Sequence, residues 1–275
     1  MKHLSLKVGG VPEHFNLPWR LAIGSGALKK HHINAQWQEF HSGTGAMVQA
    51  LNNGEVDVAT LLTEGAIKAA AQKDCQFELY AFYTKSPLIW GVHTPLETDI
   101  KSLKDLGKAT FAISRYGSGS NLMAYLLAES QGLSVDNLKF EIIDNLKGAR
   151  NLFKKGGNYI FLWEKFMTKP LVDGGEMIRI ADFPTPWSCF VTCMRKEVLQ
   201  NNPKQIKQLM KSVLKSAKHL KQSPIAEQLI AEQYQLELAD VKTWFDSTQW
   251  YKKVSLNSEL IDRVTDKLKQ LSIID

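Results

Sequence analysis

Apolar and polar positions alternate with period two along short stretches of this chain, and most of these stretches run through a turn into residues at helical spacing. Leu4-Ser5-Leu6-Lys7-Val8 is the first and predicts a strand. Further strands are predicted at 35–40, 56–61, 77–92 with a break at Ser86-Pro87, 109–113, 140–143, 159–162, 178–181 and 188–194. Helices are predicted around Met47, Val48 and Leu51, over 63–71, 122–129 and 147–154. Strands alternating with helices predict an α/β fold. After Asn202-Pro203 only helical spacing remains. Ile206, Leu209, Met210, Val213, Leu214, Ala217 and Leu220 form one apolar stripe, and helices follow near 224–230, 240–247 and 260–271. These last helices read as packing elements.

Two strand-to-helix turns combine glycines with hydroxyls. One is His41-Ser42-Gly43-Thr44-Gly45-Ala46-Met47, and the other is Ser114-Arg115-Tyr116-Gly117-Ser118-Gly119-Ser120-Asn121. Backbone N–H groups at a helix start lack intrahelical partners and sit at the positive end of the dipole. Glycine lets a ligand approach them, and Arg115 adds a forked cationic donor. Such turns suit an anion or another acceptor. The alternative is an ordinary capped turn with Ser118 or Ser120 as N-cap. Between Gly9 and Trp19, two glycines and two prolines predict an irregular loop, with Asn16 capping a helix that has Pro18 in its first turn. That loop carries Glu13, His14, Phe15 and Trp19, a candidate ligand wall. The competing reading makes Phe15 and Trp19 core plugs and His14 a solvated loop residue. Thr63 is expected to cap the helix after the third strand, with Glu64 next to it, and Asp144-Asn145 marks another turn. In open α/β sheets the ligand sits at such strand ends.

Composition narrows the class. The chain has 275 residues, 44% hydrophobic and 23% charged, enough for one large domain or two lobes. No apolar run approaches the roughly 18–20 residues of a membrane helix, so the protein is not expected to be membrane-embedded. The N-terminus shows no apolar signal-peptide core, so the protein is expected to be cytoplasmic, or periplasmic if a leader has been removed. Cys75, Cys189 and Cys193 show neither zinc-site nor disulfide spacing and read as reduced, buried thiols. No metal or cofactor is expected. The net charge of +6 reads as lysines spread along helix faces, without the aromatic interleaving of a nucleic-acid site.

Several stretches together carry a family resemblance: GGVPEHFNLPW (9–19), SGTGAM (42–47), GEVDVATLLTEG (54–65), SPLIWGVH (86–93), SRYGSGSNLMAYLLA (114–128), FLWEKFMTKP (161–170) and TPWSCFV (185–191). The chain resembles the type II periplasmic solute-binding proteins of ABC importers, in the branch that binds sulfonates, taurine, nitrate and the thiamine pyrimidine precursor. It looks most similar to a fungal and bacterial subgroup of that branch. The resemblance implies two α/β lobes with mixed sheets flanked by helices, joined by two crossovers, with the ligand clamped between them. It places lobe one at 1–92 and 188–275 and lobe two at 93–187. It implies that Ser42-Gly43-Thr44-Gly45 and Ser118-Gly119-Ser120 offer N–H groups to an acidic ligand group, and that Glu164 faces the ligand. The iron-binding CCCFC cluster of the fungal thiamine-pyrimidine synthase branch has no counterpart in Trp187-Ser188-Cys189-Phe190-Val191-Thr192-Cys193.

Two functions stay open at this level. One is a monomeric binding module for an amphipathic or anionic small ligand, a heterocycle among the candidates, serving an ABC-type importer with a permease partner or acting as a cytosolic relative. The other is a cytosolic enzyme on the same fold in cofactor-precursor synthesis, with Glu13, His14, Glu64 and Glu164 as acid–base candidates. Fold alone does not separate the two. The expected ligand wall comprises Glu13, His14, Phe15, Trp19, Thr63, Glu64, Arg115, Asn121, Asn145, Trp163 and Glu164 together with the two glycine turns. Trp90 and Trp187 offer further flat faces.

Overall fold

The computed structural model describes residues 3–274. In chain order its elements are β1 (Leu4–Gly10), α1 (Leu17–Gly24), β2 (Ile33–Glu39), α2 (Thr44–Asn52), β3 (Val58–Leu62), α3 (Thr63–Ala70), β4 (Phe77–Thr84), β5 (Ile89–Thr94), β6 (Thr110–Ile113) and α4 (Gly119–Ser130). There follow β7 (Lys139–Ile142), α5 (Leu146–Phe153), β8 (Tyr159–Glu164), α6 (Lys165–Asp173), β9 (Ile178–Pro184), β10 (Phe190–Arg195), α7 (Lys196–Asn201), α8 (Pro203–Gln222), α9 (Ala226–Tyr234), α10 (Leu238–Ser247) and α11 (Ser258–Gln270).

The chain divides into two compact units. The first runs to Ser86, resumes over Trp187–Lys269 and includes Ile274, and the second is Pro87–Pro186 with Gln270–Ile273. The boundary after the first unit thus falls at Ser86-Pro87, six residues before the expected 92/93. The reason is hydrogen bonding: β5 is not a continuation of β4 but pairs antiparallel with β8 and β9 of the second unit.

Each unit holds one five-stranded mixed sheet. The order is β2-β1-β3-β10-β4 in the first and β7-β6-β8-β5-β9 in the second. In each, three parallel strands come first, and an antiparallel strand then joins the third to the fifth. By position β6 corresponds to β1, β7 to β2 and β8 to β3. The two glycine turns are therefore not counterparts: one follows β2 and the other follows β6.

The expected irregular loop starts later than the glycines suggest. Gly9 and Gly10 remain inside β1, in parallel register with Gln38 and Glu39. A Cβ at Gly10 would stand 2.1 Å from Cη2 of Trp37. Here glycine keeps the strand and makes room for a ring from the neighbouring one. Asn16 does precede α1, but its side chain does not cap that helix; its Nδ2 donates to the Val11 carbonyl at 2.9 Å. All seven apolar residues expected on the inner stripe of α8 are buried. The three cysteines are buried, and among the described residues none is joined in a disulfide. Among the described residues no helix is long and apolar enough to cross a membrane.

Candidate functional site

In the first unit the C-terminal ends of β1, β2 and β3 and the start of β10 lie at one end of the sheet. The turn after β2 takes a backbone conformation that suits glycine alone: Gly43 has φ 71° and is the N-cap of α2 without a side chain to cap it. The first N–H groups of α2, beginning at Thr44 and Gly45, have no intrahelical partner. Thr44 Oγ1 accepts the N–H of Leu62 at 3.2 Å, which ties this turn to the end of β3. A Cβ on Gly65 would meet Thr44 Cγ2 at 2.6 Å, so the starts of α2 and α3 converge closely.

Glu64 lies on the first turn of α3 and is 1% exposed. Its Oε2 accepts the indole N–H of Trp187 at 2.7 Å, and its Oε1 is buried with no hydrogen-bond partner among the described residues. Burial pushes its carboxyl up to about 7, against the lowering effects of the Trp187 bond and a backbone bond. Glu13, in the loop after β1, is also pushed up to about 7 by burial. Thr63 is the first residue of α3 rather than its cap, and its hydroxyl donates to the Ser188 carbonyl at 2.7 Å.

Ser42 of the expected wall is exposed, whereas its aromatic members and His14 lie in the core of this unit. Phe15 is 2% exposed, and its ring packs at 5.3 Å from Phe190 and 5.1 Å from Trp244. Its carbonyl accepts from the Tyr83 hydroxyl and the Trp250 indole. Trp19 is fully buried near Tyr83. His14 is not solvated. Its ring lies 4.0 Å from that of Trp244, with Phe15 and Tyr234 around it, and burial holds its pKa down at about 3. A neutral imidazole in that box is a poor base near neutral pH.

In the second unit the turn after β6 is organised by its own hydroxyls. Ser118 is the N-cap of α4 and accepts from Asn121 N at 3.3 Å. Ser120 Oγ accepts from Ser114 N at 3.0 Å and shares a hydrogen bond with Ser118 Oγ at 3.1 Å. Asn121 Oδ1 takes the Gly117 N–H at 2.9 Å, while its Nδ2 is buried without a partner among the described residues. The turn is therefore both a capped helix start and the holder of one uncommitted donor. Gly119 opens α4 within it, and Arg115 beside it is half-buried.

Asn145 caps α5 through Gly148 N at 3.2 Å. Glu164 caps α6, its Oε2 accepting from Met167 N at 2.7 Å, so one of its oxygens is committed to its own helix. Trp163, on the next position of β8, points the other way. It stacks on Phe161 at 5.4 Å and packs against the cluster of Ala112, Phe153 and Phe161 on the opposite face from Glu164. It is thus a partly buried residue that contributes to core packing in this unit. Trp90 pairs in register with Glu164, and its indole N–H is buried without a partner among the described residues. Trp90 and Trp187 thus both lie at the strand ends that carry the site glutamates. Their sequence signal is only that of an aromatic residue near a proline break, and nothing local links Trp187 to Glu64.

Two sheets of like strand order, each with helix starts at its parallel strand ends, match a known architecture. The alkanesulfonate-binding protein SsuA from Xanthomonas axonopodis pv. citri, solved with MOPS bound, superposes with a TM-score of 0.82 at 16% identity, covering 100% of this chain and 96% of that one. The Candida albicans CA3427 gene product, described as exhibiting the generic periplasmic binding protein fold, reaches 0.91 at 28% identity over 98% of this chain and 90% of that one. The chain has the type II periplasmic-binding-protein fold. A family model described as Ca3427-like PBP matches residues 90–183, which lie inside the second unit of that fold. A third protein of this fold is the ligand-binding component of an ABC-type import system from Staphylococcus aureus, solved with zinc bound, with a TM-score of 0.74 at 14% identity over 99% and 93% of the two chains. No curated protein is significantly similar in sequence. Among the described residues of this binding-protein fold, no group of three His, Cys, Asp or Glu side chains is placed to hold a metal ion.

Proposed function

We propose that the chain binds an amphipathic or anionic small molecule, a heterocycle among the candidates, and carries out no covalent chemistry on it. The observation that carries this reading is Glu64. It is a buried carboxyl group with one oxygen held by Trp187 and the other without a partner among the described residues, close to an α2 start that no side chain caps. A buried polar atom without a partner is costly, and a ligand group that reaches it recovers that cost. Below about pH 7 the protonated Glu64 joins the α2 N–H groups as a donor set for an acceptor or anion, and above it the carboxylate suits an N–H. The second unit holds a comparable uncommitted donor of its own, Asn121 Nδ2. His14, held neutral by burial, and Glu164, spent partly on capping, support binding over acid–base catalysis. The bound molecule is delivered to an ABC-type importer, a reading supported by the likeness to the ligand-binding component of such a system from Staphylococcus aureus.

The test is a thermal-shift panel of alkanesulfonates including MOPS, nitrate, aliphatic carboxylates and aminopyrimidines, followed by native mass spectrometry of any hit. The expected result is a saturable rise in melting temperature with one class, a ligand recovered at unchanged mass, and weaker binding by Glu64→Ala. One lost neutral hydrogen bond costs about 0.5–1.5 kcal/mol of affinity, and one to a charged group about 1.5–3. A panel without a saturable hit, or a ligand recovered with altered mass, would overturn the proposal.

A further inference from the structure

The charge of this protein is not spread evenly. Helix α8, PKQIKQLMKSVLKSAKHLKQ, holds six of the chain's 34 Lys and Arg residues and none of its 28 Asp and Glu residues. Outside this one helix the formal basic and acidic residues balance, so the net +6 equals the charge of α8.

Five of the six lysines, Lys204, Lys207, Lys211, Lys215 and Lys218, are exposed. They recur at intervals of three and four, which puts them within about 80° of arc at 100° per residue, opposite the buried apolar stripe. The line is straight and about 21 Å long at 1.5 Å rise per residue. None of the five is in an ion pair among the described residues. The sixth, Lys221, is turned away and donates to the Phe245 carbonyl. Gln205 donates to the carbonyls of His31 and His32, which brings the segment carrying the exposed Lys29 and Lys30 near the first turn of α8.

Like charges three and four apart destabilise a helix, and a face that only has to be solvated relieves this with interleaved glutamates. Here the repulsion is kept along four turns. The face beside the lysine line is Gln208, Ser212, Ser216 and His219, with no arginine and no Phe, Tyr or Trp. The centre of a specific protein interface is enriched in aromatics and Arg and depleted in Lys. Nucleic-acid surfaces use Arg forks and stacking rings. A ridge of lysine amines with nothing to insert fits a smooth anionic surface.

We infer that the outer face of α8 docks the protein reversibly on an anionic phospholipid bilayer, through lysine amines on headgroup phosphates. This rests on the surface of the first unit alone and is independent of which small molecule the strand-end site takes. The contact is electrostatic and screened by salt.

The test is co-sedimentation of the full chain with phosphatidylcholine vesicles, with and without phosphatidylglycerol, at low and high salt. The protein is expected to pellet with the phosphatidylglycerol vesicles at low salt, to be released at high salt, and to ignore pure phosphatidylcholine. At about fivefold per lysine, the K207Q/K211Q/K215Q triple variant should lose about 100-fold in partitioning while its thermal midpoint stays the same or rises. K101Q/K104Q/K139Q removes the same charge from exposed sites in the second unit and should keep wild-type partitioning. Failure of the wild type to pellet with phosphatidylglycerol at low salt, equal loss by both triple variants, or tighter retention on duplex DNA than on vesicles at the same salt would each overturn the inference.

Discussion

Replacing Glu64 by Gln should weaken the protein by about 1–3 kcal/mol at low pH and offset or exceed that loss at high pH. In the folded chain burial lifts this carboxyl from an ordinary 4.5 to about 7, so between these values the native state holds a proton that the unfolded state has released. Stability therefore falls as pH rises through that window. The penalty is absent below 4.5 and complete above 7. At about 1.4 kcal/mol per pH unit it amounts to about 3 kcal/mol. The glutamine side chain would keep an acceptor for the Trp187 indole and carry no charge, so the penalty disappears. Its amide N–H groups, placed where Oε1 has no partner among the described residues, cost about 1–3 kcal/mol at every pH. That cost shifts the whole curve and does not tilt it. Urea unfolding followed by tryptophan fluorescence, with variant and wild type compared below pH 4.5 and above pH 7, measures the tilt directly. Glu13 titrates in the same window but is present in both proteins and drops out of the difference. The variant should gain about 3 kcal/mol relative to wild type across the window, equivalent to roughly 6–12 °C in melting temperature for a unit of this size. A stability difference that stays constant with pH would refute the assignment of Glu64 as a buried, proton-holding carboxyl.

Two further outcomes follow from the same reasoning. His14 is held at about 3 against an ordinary 6.5, so unfolding takes up a proton, and the stability it confers is full above 6.5 and lost as pH falls towards 3; His14→Phe should move the acid-unfolding midpoint to lower pH, removing up to about 5 kcal/mol of acid sensitivity, and an unchanged midpoint would count against the neutral aromatic box. Gly148→Ala would put a Cβ 1.8 Å from the Ile143 carbonyl oxygen and displace the start of α5 from its Asn145 cap; a loss of about 1–3 kcal/mol or more is expected in a thermal melt, and a melt superimposable on wild type would refute that close approach.

Much of the local structure was legible in the residues themselves, because period-two and period-3.6 patterns and helix-start chemistry act over a few positions. The strands, the helix after Thr44, the cap at Ser118 and the inner stripe of α8 belong to this kind. The lysine line on α8 is equally local. In the sequence it reads as scattered charge, because only an unbroken helix from Pro203 to Gln222 sets those intervals on one face. What the tertiary structure decided depends on residues far apart in sequence. Glu64 and Trp187 stand 123 positions apart, and their bond exists because β10 returns to pair with β3. The box around His14 is completed by Tyr234 and Trp244 from the C-terminal helices, so a loop histidine became a core one. Phe15 and Trp163 are aromatic residues near strand ends, and a one-residue step along a strand reverses the face a side chain takes. That both packed against a core was therefore settled by strand register and by the helices that cover each sheet, and neither is written in a local stretch of sequence.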